Sequence, residues 1–120
     1  MVPIEYILQI YKIAKQWFDY PIIVVIVCLI GRTTILKKKN MVLGFAVRTG
    51  DYLHYIAVKK RLTGKGHGTQ LFKKIYPHIN YLNVKIKLRR AIAFYKKFGF
   101  KIKNKEQWIT GKRYLMVKNS

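Results

Sequence analysis

A chain of 120 residues, half of them hydrophobic, is long enough for one core and too short for two, so one ordered domain over residues 1–120 is expected. Its 25 Lys and Arg against 4 Asp and Glu give a formal net charge of +21, a field that attracts anions such as a nucleotide cofactor, RNA or an acidic membrane. The four acids, Glu5, Asp19, Asp51 and Glu106, are too scattered for two-metal, paired-carboxylate or Mg-dependent phosphoryl chemistry.

Residues 3–18 are expected to be helical, with Pro3 in the first turn and Ile7, Ile10, Tyr11, Ala14, Trp17 and Phe18 on one face. Pro21 follows as a stop. Residues 22–30 form an unbroken apolar run rich in β-branched side chains, read as a strand buried on both faces. The run is about half the roughly 20 residues of a membrane span. With Glu5 and Asp19 flanking and no small-residue cleavage site after it, a signal peptide is not expected. Cys28 is the single cysteine, which excludes an intramolecular disulfide and a Cys-rich metal site and fits a cytoplasmic location.

A short strand is expected at residues 33–36 and an antiparallel hairpin over residues 41–60, turning at Thr49-Gly50-Asp51. By the period of two, its second arm puts Tyr52, His54, Ile56 and Val58 on one face. Lys59-Lys60-Arg61 then leads into a loop with Gly64, Gly66 and Gly68 at alternate positions, followed by a helix over residues 69–76 that ends at Pro77. Residues 81–88 alternate as a strand, with Leu82, Val84, Ile86 and Leu88 inward. A helix over residues 89–98 carries Ala91, Ile92, Phe94, Tyr95 and Phe98 and is capped by Gly99. Residues 100–103 and 114–118 are the last expected strands. This order implies an α+β fold around one mixed, mostly antiparallel sheet flanked by helices.

Strand, glycine loop and helix together form a phosphate cradle: glycines remove the Cβ that would block approach, and free amides at the helix start face the anion. It is not a Walker loop, because Gly64-Lys65 is followed by Gly66 rather than Ser or Thr. The dinucleotide spacing fails as well, since its last glycine would fall on Thr69 or Leu71.

Ile56-Ala57-Val58, a four-residue gap and then Thr63-Gly64-Lys65-Gly66-His67-Gly68-Thr69 resemble the acetyl-CoA motif of the GNAT acyltransferases, written Arg/Gln-x-x-Gly-x-Gly/Ala. Ala91-Ile92-Ala93-Phe94-Tyr95-Lys96-Lys97-Phe98-Gly99-Phe100 resembles the same family's AxxFYxKxGF segment. Thr63 stands where the family has Arg or Gln, and Leu88 where it often has Asn.

The resemblance implies a GNAT-like fold and acetyl-CoA as cosubstrate, without a metal. It implies that the backbone of Ile56, Ala57 and Val58 pairs with the pantetheine arm and that the loop from Thr63 to Thr69 holds the pyrophosphate. A backbone amide near Val58 would polarise the thioester carbonyl, and Tyr95 would be the acid for the leaving thiolate. Asp51 and His54 are the nearby titratable candidates for a base, with ordered water as the alternative. His67 and His78 read as loop and turn side chains.

The activity expected is acetyl transfer to a primary amine, carried on an aminoacyl-tRNA or a protein, by direct attack in a ternary complex. Two rivals stay open, a basic RNA-binding module and a GNAT fold that serves interaction without catalysis. Partners follow the same division: acetyl-CoA, an amine acceptor, RNA or another polyanion, and a homodimer as an open assembly, with no membrane. A solvated lysine face is the plain alternative to a polyanion site, since Lys37 to Lys39, Lys59 to Arg61, Arg89-Arg90 and Lys96-Lys97 are spread along the chain.

Overall fold

Pro21, which stops the first helix, begins a second one. In the computed structural model, which describes residues 2–118, α1 spans Ile4–Trp17 and α2 spans Pro21–Ile30. The strand expected over residues 22–30 is therefore a helix. Proline at the first helical position presets φ and gives up an N–H that had no partner there. The β-branched residues that follow each lose only some tenths of a kcal/mol in a helix. Val24 and Cys28, one turn apart, reach a cluster with Ile10, Ile13, Ala14, Phe45 and Val47. That stripe repays the helical form, while Ile22, Ile23, Ile26, Leu29 and Ile30 stay 44–77 % exposed. Among the described residues no helix is long and apolar enough to cross a membrane.

Six strands follow: β1 Arg32–Lys38, β2 Met41–Thr49, β3 Tyr52–Val58, β4 Tyr81–Lys85, β5 Phe100–Trp108 and β6 Gly111–Lys118. They form one sheet in the order β1-β2-β3-β4-β6-β5. Only the β3–β4 pair is parallel, so the sheet is mixed and mostly antiparallel, as expected. Helices α3, His67–Ile75, and α4, Arg89–Lys97, follow β3 and β4. Leu71, Phe72, Ile75 and Ile92 pack with Leu53, Leu82 and Met116 on one face of the sheet. Tyr6, Ile10 and Val24 pack with Phe45 and Ala57 on the other.

Among the boundaries that differ from expectation, those of β4 and β5 have local reasons. β4 stops at Lys85: the Ile86 amide still bonds to Lys112 O of β6, but the Leu88 amide turns back to Lys85 O and ends the strand. Leu88 caps α4 and is exposed rather than inward. β5 runs to Trp108, beyond the expected residue 103; it is a lysine-rich edge strand, held by its ladder to β6 rather than by a buried alternation.

The β2–β3 ladder carries a bulge. Leu53 faces Arg48 and Tyr55 faces Val47, which leaves His54 as the extra residue. The bulge reverses the alternation: Leu53 shares the α3–α4 face with Ile56 and Val58, while Tyr55 and Ala57 turn to the α1–α2 face. Tyr52 lies on that second face, and its ring meets the His54 ring edge-on at 4.8 Å. The single face expected for Tyr52, His54, Ile56 and Val58 is thus split into two.

Burial pushes the Cys28 thiol up to about 11 and the Tyr52 hydroxyl up to about 12. In both, the folded-state pKa lies above the unfolded one, so stability is intact below the unfolded value and is lost as pH rises toward the folded value. The melting temperature is expected to hold through neutral pH and to fall by several degrees between pH 9 and pH 11, near the ordinary thiol and phenol range. A level profile in calorimetry across that interval would contradict the burial of both groups.

Candidate active site

β3 and β4 are paired at two positions only, Tyr52 with Tyr81 and Leu53 with Leu82. Beyond them β4 continues along β6 and the two parallel strands part. The peptide joining Val58 to Lys59 shows what faces the gap. Its N–H, on Lys59, donates to Leu43 O at 2.9 Å. In a planar trans peptide the carbonyl of Val58 must point the opposite way, away from β2 and into the gap. The end of β3 is thus an open strand edge inside the sheet, and an extended ligand can add to it as a strand does.

Next in the chain comes the glycine loop. A 3-10 turn at Lys60–Leu62 is closed by Thr63, whose Oγ1 donates to Lys60 O at 2.8 Å. Gly64 and Gly66 adopt φ of +78° and +86°, the left-handed region that side chains rarely enter. Gly66 caps α3, and the first helical bond runs from the Gln70 amide to Gly66 O. The amides of His67, Gly68 and Thr69 therefore have no partner within the helix. Gly68 needs no special φ, and a Cβ added there would meet nothing within 4 Å. The space over the first turn of α3 is open. The helix starts at His67, two residues before the expected position.

Tyr95, on α4, is buried in the cluster that holds Val58 and Val84. Its ring centroid lies 5.6 Å from that of Phe72 and 5.7 Å from that of Phe94. Burial raises its hydroxyl above the ordinary phenol value. Tyr95, Val58 and the buried residues of α3 thus share one cluster on the α3–α4 face of the sheet.

His54 and Asp51 lie elsewhere. His54, on the opposite face, is hydrogen-bonded through Nε2 to Thr49 Oγ1, and burial lowers its pKa. Asp51 sits in the β2–β3 turn, where Oδ2 accepts from Asn80 Nδ2 at 3.0 Å. At ~3.3 Å per residue it is roughly 20 Å along the strand from Val58. It fastens the turn to the start of β4 and is removed from the gap.

Two features at the gap were not read from the sequence. Trp17, expected on one face of α1 with Ile10 and Ala14, is 46 % exposed, and its Nε1 donates to Val58 O at 2.7 Å. Gln16 Oε1 accepts from the Lys60 amide at 3.1 Å, and the Lys60 ammonium stands 5.0 Å over the Trp17 ring. The C-terminal end of α1 is thereby stitched to the end of β3. On the α1–α2 face, the Tyr52 hydroxyl donates to Asn83 Oδ1 at 2.8 Å, and Asn83 Nδ2 donates to Glu106 Oε1 at 3.0 Å. The signal for this network was weak: three polar residues on three strands, joined only by the sheet order.

A family model described as an acetyltransferase (GNAT) domain matches residues 27–102, more than half of the chain. No curated protein matches the sequence. Several solved structures are similar over nearly the full length. Naa50 from Arabidopsis thaliana, in complex with the bisubstrate analogue CoA-Ac-MVNAL, is 20% identical with a TM-score of 0.79, covering 99% of this chain and 95% of that one. Ard1 from Thermoplasma volcanium is 20% identical at 0.81, covering 100% and 95%. The ribosomal-protein-S18-alanine N-acetyltransferase from Escherichia coli is 16% identical at 0.74, covering 99% and 92%. At these identities the structural likeness is one of fold, while the family model rests on the sequence itself. The motifs at the strand edge, the glycine loop and α4 all lie inside the matched segment, and the chain belongs to the GNAT acetyltransferase family.

Proposed function

We propose that the chain is an N-acetyltransferase that takes its acetyl group from acetyl-CoA and passes it to a primary amine, with both substrates bound together. The observation that carries this reading is the open edge of β3, whose Val58 carbonyl faces the gap and which leads directly into the Gly66-capped start of α3. The residues present fit the cosubstrate. The backbone of Ile56 and Val58 would hold the pantetheine arm, and the amides of residues 64–69 would hold the pyrophosphate, with Lys65 adding positive charge. Thr63 folds back on Lys60, so the loop relies on its backbone where the family has Arg or Gln.

The thioester supplies an acyl carbon activated for attack. The new N–C bond forms as the C–S bond breaks, the amine gives up a proton, and sulfur departs as thiolate. Tyr95 is raised well above the thiol range of about 8.5, so complete transfer of its proton to a thiolate runs uphill. Its role is to donate a hydrogen bond to the departing sulfur, remaining a donor throughout the neutral range. His54, bonded to Thr49 on the opposite face, and Asp51, in the turn, both stand away from the gap, so ordered water is the route by which the amine loses its proton. The peptide part of the CoA-Ac-MVNAL analogue bound to Naa50 and the ribosomal-protein alanine acetylated by the Escherichia coli enzyme support the α-amine of a polypeptide as the acceptor class.

Calorimetry with acetyl-CoA, followed by thiol release in the presence of a peptide with a free N-terminus, tests the reading. A native chain that does not bind acetyl-CoA overturns it. Trp17→Phe is expected to bind acetyl-CoA about fivefold more tightly, because the indole N–H no longer occupies the Val58 carbonyl that the cosubstrate arm would use. Weaker binding in that variant would mean that the indole serves the ligand instead.

A further inference from the structure

We propose that Glu106 is the carboxylate that receives the ammonium form of the acceptor amine, in a subsite on the sheet face opposite α3 and α4. The proposal rests on the acetyltransferase reading above and adds to it the group that recognises the acceptor. α1 packs on β2 and β3, and α2 on β1, so neither helix packs broadly on this face over β4, β6 and β5, and the α1–α2 connection reaches β4 where Asp19 meets Lys85. Tyr81 and Trp108, which lie there, are each more than a third exposed. This half of the face begins where β3 and β4 part, so an acceptor lying on it approaches the gap from the side away from α3.

Glu106 is set into this surface by neutral donors. Asn83 Nδ2 bonds to its Oε1 at 3.0 Å, and Trp108 Nε1 bonds to the same oxygen at 3.1 Å. Tyr52 in turn fixes Asn83 through its carbonyl oxygen. Both bonds fall on Oε1, and among the described residues Oε2 receives none.

The charge pattern makes this unusual. The chain has 25 Lys and Arg, yet among the described residues the one ion pair joins Lys85 to Asp19. Arg113 stands directly opposite Glu106 in the β5–β6 register. It stacks over the Trp108 ring at 4.5 Å and donates to Thr110 Oγ1 at 3.0 Å instead of pairing with the carboxylate. A half-buried carboxylate is thus oriented by two donors and, among the described residues, left without an ion-pair partner in a protein crowded with cations. An incoming ammonium, with three N–H donors, matches the open oxygen. The +21 field repels polycations in general, so the site favours a single ammonium at the end of a neutral or acidic chain over a polyamine.

The test uses Glu106→Gln, whose amide oxygen can still accept from Asn83 and Trp108. Melting temperature and acetyl-CoA affinity should stay as in the native chain. The KM for a peptide with a free N-terminus at pH 7 should rise about tenfold or more, with a smaller change in kcat. A KM within twofold of native overturns the proposal.

A second measurement separates this outcome from failure of the acetyltransferase reading. Glycinamide is titrated without acetyl-CoA while the Trp108 indole N–H resonance is followed. A saturable shift in the native protein, absent with N-acetylglycinamide and absent in the variant, supports the subsite even if no transfer is seen. No shift in the native protein overturns it even if acetyl-CoA binds.

Discussion

Gly68→Glu is expected to fold like the native chain, melting at the same temperature or slightly higher, and to lose acetyl-CoA binding by about 100-fold or more. The two halves of this expectation have separate causes. Gly68 lies in the first turn of α3 with an ordinary helical φ, and an added side chain meets nothing within 4 Å. Replacing glycine there restricts the unfolded chain, and a carboxylate near a helix N-terminus is favoured by the macrodipole. The same carboxylate would stand where the pyrophosphate is proposed to lie, and it would cover the amides of His67 to Thr69. Gly66 is the poorer position for this test, because its φ of +86° makes any side chain strained and confuses lost binding with lost structure. Calorimetry with acetyl-CoA, paired with a melting curve, decides the matter. Undiminished binding would remove the pyrophosphate from the start of α3.

Tyr95→Phe should leave acetyl-CoA affinity and melting temperature close to native while kcat for acetyl transfer falls about 100-fold. The ring is retained against Phe72 and Phe94, so the core loses no apolar volume. The loss would fall on the chemical step, where the hydroxyl donates to the departing sulfur. Because burial holds this hydroxyl protonated, kcat should show no alkaline decline from Tyr95 below the ordinary phenol value of about 10. Steady-state kinetics with a pH profile gives both readings. An unchanged kcat would leave Tyr95 as a core residue beside Phe72.

Much of this site was legible as a string. Gly64, Gly66 and Gly68 stand at spacings that exclude nucleotide loops, and they are joined by one helix and one strand to Phe94-Tyr95 and Gly99. These are local patterns within short stretches of chain, and local patterns survive in a sequence. The alternation of residues 81–88 and the apolar stripe of α4 were readable for the same reason, apart from their ends.

Residues 22–30 were not. Their composition shows that they are apolar, but whether such a run becomes strand or helix depends on what lies beside it. Here α1 and β2 offer a groove that a helical stripe of Val24 and Cys28 fills.

Tertiary structure alone decided which residues meet at the gap. The bulge at His54 inverts the facing of β3, moving His54 away from Val58, and no residue type announces a bulge. Asp51 is near His54 in sequence but is spent on the turn. Trp17 reaches Val58 across 41 residues, and Glu106 reaches Asn83 only because β6 lies between their strands. Hydrogen bonds across a sheet depend on strand order and register, which are properties of the folded whole and not of any segment.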